Sequence, residues 1–165
     1  MNSQSIPNSA GRDILPEELL VFGLGREIYG VNILHVQEIR SYEAPTRMAD
    51  APDFVKGVIN LRGIIVPVVD LRLKLGCAEA AFNESTVVIV LNLAGMVVGA
   101  VVDSVADVIA LPAGGIKAAP QFEGELKASY VRGIVTLDKR MLIVVDINTL
   151  LYGTELHLLQ PPATV

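Results

Sequence analysis

Histidine, the side chain best suited to moving protons near neutral pH, occurs twice in 165 residues, at His35 and His157. A multi-histidine metal site or a histidine-centred relay would need both from distant segments. His35, between Leu34 and Val36, reads as a solvent-facing ring on a strand. Cys77 is the single cysteine, so no internal disulfide and no cysteine-based zinc site can form, and it reads as a buried, inert thiol. Asp70 and Asp146 could suggest paired acid and base roles. Each follows a Val-Val strand and precedes a short helical run, however, where a carboxylate is better used accepting backbone N–H bonds as a helix cap. Asp103 and Asp107 interrupt an apolar run and mark the solvent face of a strand. Gly23-Leu24-Gly25 lacks the third glycine of a dinucleotide fingerprint and falls at a strand turn. GxSxG, P-loop lysine, HExxH and CxxC motifs are all missing. The residues supply no convergent polar pocket for an enzyme, and no metal or cofactor is expected.

The elements that carry these residues are strands. The chain holds 22 Val and 14 Ile, side chains stiff at χ1 that favour pleated structure. Its 52% hydrophobic content excludes a disordered chain, and a length of 165 residues suits one domain or two small interlocked ones. A net charge of −5 gives no drive toward nucleic acid or anionic lipid. Eighteen consecutive uncharged residues, STVVIVLNLAGMVVGAVV, approach a membrane-spanning length. Their many valines, the central Asn92 and the glycines Gly95 and Gly99 argue instead for a buried hairpin. The polar start MNSQSIPNSAGR carries no secretory signal, and the compartment reads as cytosolic.

The chain also repeats itself. Residues 19–39 align with 87–109, placing Tyr29-Gly30-Val31 on Val98-Gly99-Ala100 and Glu38-Ile39 on Asp107-Val108 at an offset of 69. Residues 54–71 match 130–147 at an offset of 76, with six of eighteen positions identical: Val55, Gly57, Leu61, Val68, Val69 and Asp70 in the first copy. Two copies are too few for a solenoid. Two similar small barrels of about five strands each fit better, with hairpin turns at Gly25-Arg26, Arg62-Gly63, Ala94-Gly95 and Asp138-Lys139 and a helical turn closing each copy. The links SYEAPTRMADAPD and LPAGGIKAAPQFEGE belong on the surface; residues 1–16 read as a mobile tail and 152–165 as a C-terminal extension with a mobile end, flanking a single domain at 17–151.

Residues shared by the copies serve the fold, whereas differences are free to serve function. Where one copy has Asn60-Leu61-Arg62-Gly63 the other has Thr136-Leu137-Asp138-Lys139, so the fold does not require Arg62. Glu38 could pair with it, either as an ordinary surface ion pair or to position the guanidinium for a partner.

The runs YGV followed by VQEIR, then KGVINLRG and VPVVDLR, together with TVVIVLNLAGMVVGAVVDSVADV and RMLIVVDINTLL, resemble the CheW family of chemotaxis coupling proteins, close to the enterobacterial type. The resemblance covers residues 17–151. It implies a mostly β protein of two pseudo-repeated, five-stranded SH3-like barrels with short helices and no catalytic activity. It further implies a cytoplasmic adaptor recruited to membrane-attached arrays, joining the cytoplasmic tips of methyl-accepting chemoreceptors to the regulatory domain of the histidine kinase CheA. The family's receptor-binding pattern is matched by Val36, Glu38, Ile39, Gly57, Arg62, Val87, Gly99, Val105 and Val108. Its ring contact is matched by Lys117, where close relatives carry Arg, and by Phe122; its other kinase contact falls around residues 42–47 and 64–69. An adaptor of another pathway, such as type IV pilus motility, would share this fold. A small β-barrel binding nucleic acid would need a basic face with exposed aromatics, and this acidic chain without Trp supplies neither.

Overall fold

The computed structural model describes residues 17–76, 81–111, 115–117 and 130–152. The tails, Cys77, Phe122 and His157 lie outside these residues. The first repeat copy forms β1 (Glu18–Leu24), β2 (Glu27–Asn32), a 3-10 turn (Ile33–His35), β3 (Val36–Ser41), β4 (Val55–Leu61), β5 (Ile64–Asp70) and α1 (Leu71–Lys74). The second forms β6 (Val87–Leu93), β7 (Met96–Val102), β8 (Ser104–Ala110), β9 (Val131–Leu137), β10 (Arg140–Val145) and α2 (Ile147–Tyr152). All four expected hairpins are present at the expected turns. Arg62 and Gly63 (φ 50° and 88°), like Ala94 and Gly95 (φ 55° and 96°), are left-handed at both central positions, which matches the twist of the strands they join. Asp70 accepts from the Arg72 N–H and Asp146 from the Thr149 N–H, so both aspartates cap the helices that follow them.

The two sheets are not the two sequence copies. One has the order β9-β10-β2-β1-β8, the other β3-β6-β7-β5-β4. Each therefore combines three strands of one copy with two of the other, joined by short parallel pairings, β10 with β2 and β5 with β7. In each sheet the chain leaving one outer strand bridges to the opposite outer strand: Thr46, after β3, pairs with Val58 of β4, and Lys117, after β8, pairs with Ile134 of β9. A glycine stands beside each bridge. A Cβ on Gly57 would run into the Thr46 carbonyl, and one on Gly133 would come within 2.5 Å of the Lys117 carbonyl oxygen. The shared glycine thus permits a close backbone approach.

Side chains alternate between two kinds of core. Leu20, Phe22, Ile89, Leu91, Val69, Val98, Ile143 and Val145 enter one cluster between the sheets. Their neighbours point the other way: Leu19, Val21, Leu142 and Val144 into a smaller core of the first sheet, and Val66, Val68, Val88 and Val90 into one of the second. Strands buried on both faces need continuous apolar sequence. That accounts for the eighteen-residue uncharged run, which forms the β6–β7 hairpin. No helix among the described residues is long and apolar enough to cross a membrane.

Candidate functional site

β3 and β8 are repeat-equivalent outer strands, one in each sheet. Val36 on β3, Val105 on β8 and Val87 at the start of β6 are half-buried and pack against the margin of the central core. Ile39 on β3 and Val108 on β8 occupy equivalent positions and are 44% and 42% exposed. Ile39 pairs with Ile89, and Val108 with Leu20.

Glu38 meets Arg62 across the seam of the second sheet, as a direct carboxylate–guanidinium contact between β3 and the β4–β5 turn. The hydrogen bond from Arg62 holds the Glu38 carboxyl below its usual range and raises the Arg62 guanidinium correspondingly. Arg40 lies 3.7 Å from the other carboxylate oxygen. At the equivalent seam of the first sheet the two positions are Asp107 and Asp138, both acidic. The left-handed backbone is nonetheless the same, φ 50° at Arg62 and 47° at Asp138, so the turn conformation does not depend on the arginine.

Glu38, Val90, Gly99, Val68 and Gly57 form one transverse row across all five strands of the second sheet. A Cβ on Gly99 would lie 2.9 Å from the Val88 side chain and 3.6 Å from that of Val68. Gly57 and Gly99 are therefore needed for packing, whatever else they contact. Lys117 lies apart from the row, exposed on the seam of the first sheet. In the region around 42–47 and 64–69, Ile64 and Ile65 are each 55% exposed.

Two expectations need correction. His35 sits in the 3-10 turn rather than on a strand, and is half-buried, because Asn32 accepts from the Leu34 N–H and winds the chain before β3 begins. Asp103 does not mark an open strand face: it lies between β7 and β8, its two oxygens taken by the Gly25 N–H at 2.7 Å and by Arg72 at 3.1 Å. Asp107 is exposed, as expected.

Sequence reading missed Arg72. It is fully buried, with Nε and Nη2 each 2.9 Å from the Asp70 carboxylate, Nη1 on Asp103 and on the Ala81 carbonyl, and the Phe82 ring 4.7 Å away. Burial opposes its charge, and the two carboxylates outweigh burial to raise its pKa. The available signal was its repeat partner, Asn148, which shows that the cap alone needs no arginine. Among the described residues no group of three or more His, Cys, Asp or Glu is placed to hold a metal.

A sequence model of the CheW-like domain matches residues 18–155. The chain belongs to the CheW family. It is 52% identical over 142 residues to the chemotaxis protein CheW of Klebsiella aerogenes, covering 86% of each chain. It is 31% identical over 135 residues to that of Bacillus subtilis, covering 82% of this chain and 86% of the relative. The crystal structure of the scaffolding protein TtCheW from Thermoanaerobacter tengcongensis superposes with a TM-score of 0.75 at 31% identity, over 82% of this chain and 92% of that one. The expected mostly β fold with two five-stranded units and short helices is borne out in this CheW-family chain, but the expectation of one unit per sequence copy is corrected, because the parallel pairings of β10 with β2 and of β5 with β7 draw two strands of each sheet from the other copy.

Proposed function

We propose that this CheW-family chain is a non-enzymatic adaptor that couples methyl-accepting chemoreceptors to the histidine kinase CheA, cytoplasmic and recruited to receptor arrays. The observation that carries the reading beyond family membership is the asymmetry between the seams. One repeat holds Glu38 against Arg62 while the other has two aspartates, so the pair is not a requirement of the fold.

The receptor tip docks along the outer strands, where Val36, Val87, Val105 and Val108 offer an apolar seat for a helix and Ile39 projects beside it. Glu38 and Arg62 set register by charge, a role that favours specificity over raw affinity. Gly57 and Gly99 belong to the same receptor contact and share the transverse row of Glu38. Ring partners in the kinase layer meet Lys117 and Phe122, with the other kinase contact around 42–47 and 64–69. Each contact alone is weak, about micromolar, and is reinforced because a tethered second contact acts at an effective concentration of roughly millimolar.

The test is kinase autophosphorylation in receptor-containing membranes with and without the chain. Strong stimulation is expected. No stimulation, with receptor and kinase shown to be competent, would refute the reading.

A further inference from the structure

We propose that Arg72 and Asp103 form a clasp that positions β3 and β8 relative to each other and thereby sets the receptor-contact surface; this rests on the receptor reading above. The clasp joins two ends. Its guanidinium faces the Phe82 ring, which stacks at 4.4 Å on Tyr42, the residue immediately after β3. The same guanidinium pairs with Asp103, the residue immediately before β8. Asp103 carries the link into the first sheet, accepting from the Gly25 N–H at 2.7 Å while its own N–H donates to the Gly23 carbonyl at 3.1 Å. One buried cation thus connects the two strands that bear Val36, Glu38, Ile39, Val105 and Val108.

The chemistry leaves little slack. Both partners of the Asp103 side chain are donors, so both oxygens must accept. Asp70 fixes Arg72 from the opposite side through two parallel hydrogen bonds, a geometry that lysine cannot reproduce. The cap at Asp146 forms without an arginine, so the clasp is additional to what the strand-to-helix turn needs.

Removing Arg72 would strand the buried Asp70 carboxylate and unfold the chain. The test is therefore Asp103→Asn, isosteric and partly exposed, whose amide can satisfy one donor but opposes the other. Phe82→Leu, which loosens the β3 end and leaves the ion pairs intact, is the second variant. In a Cys77→Ala background, spin labels at the exposed, repeat-equivalent positions Gln37→Cys and Ala106→Cys read the separation of β3 from β8. Binding to vesicles carrying a chemoreceptor cytoplasmic tip is measured in parallel on unlabelled protein.

The native chain is expected to give one narrow distance distribution, and each variant, while folded, a broadened or shifted one. Receptor affinity should fall by at least about fivefold, the range of ordinary coupling between sites. An unchanged distribution in the variants, or a broadened one with unchanged affinity, overturns the clasp. Glu38→Arg and Val108→Asp are the controls: if both fold and bind receptor normally, the receptor surface itself is misassigned and the proposal falls with it.

Discussion

Replacing Gly57 by alanine tests the physical account of the seam most directly. Gly57 has φ 139°, a conformation that L side chains rarely adopt, and a Cβ there would sit 2.6 Å from the Thr46 carbonyl carbon and collide with its oxygen. The obstacle is backbone, so no rotamer change relieves it. Accommodating the methyl must pull Thr46 from Val58, breaking the two 2.9 Å hydrogen bonds Thr46 N–H to Val58 O and Val58 N–H to Thr46 O. Those bonds contribute about 1 kcal/mol each, and strain at a positive φ costs about 1–3 kcal/mol, which together give about 3–5 kcal/mol. That is a large fraction of the roughly 5–15 kcal/mol available to a domain. Urea unfolding of Gly57→Ala beside Gly63→Ala separates the causes, because Gly63 shares a positive φ of 88° but meets nothing within 4 Å. A loss near 1 kcal/mol for Gly63→Ala, against 3 or more for Gly57→Ala, is expected. Equal losses would show that the close approach to Thr46 does not matter and would refute the reasoning. A receptor defect in a Gly57 variant must therefore be read beside its loss of stability.

Arg62→Ala should leave the melting temperature within about 2 °C, since Asp138 holds the same turn without an arginine, and should weaken kinase stimulation in receptor membranes; a large thermal loss would mark Arg62 as structural. Glu17 accepts two hydrogen bonds from Arg132 of β9, at 2.6 and 2.9 Å, and that pairing holds its carboxyl below the ordinary value of 4.5. Its contribution to stability is therefore complete above that pH and disappears as the pH falls through the lower folded-state value. Arg132→Gln should flatten this acid limb and return the Glu17 carbon-13 titration toward its ordinary range, and an unshifted titration in the native chain would contradict the pairing.

Local pattern made much of this legible. Two-residue turns between Val-rich runs located all four hairpins, and a Val-Val-Asp sequence before each helix located both caps, because these features depend on contacts within a few residues. The Glu38–Arg62 contact was foreseen through the repeat comparison. Arg72 was not, because in DLRLKLG it reads as one residue of a helical turn, and nothing in that string reveals that Phe82 and Asp103 converge on it. His35 was misplaced for a related reason: the Asn32 cap that winds the 3-10 turn interrupts a run whose composition suits a strand.

The sequence by itself determined the strand content, the turns, the caps and the two-fold repeat, all consequences of side-chain type at short range. Tertiary structure decided which strands share a sheet. The parallel pairings of β2 with β10 and of β5 with β7 are made through backbone groups common to every residue, and these strands send apolar side chains into the central cluster from one face and into a second core from the other. Hydrophobic pattern could therefore not distinguish two self-contained copies from two sheets that exchange strands. That exchange sets β3 beside β6 and β8 beside β1, so each candidate receptor strand pairs with a strand of the other copy.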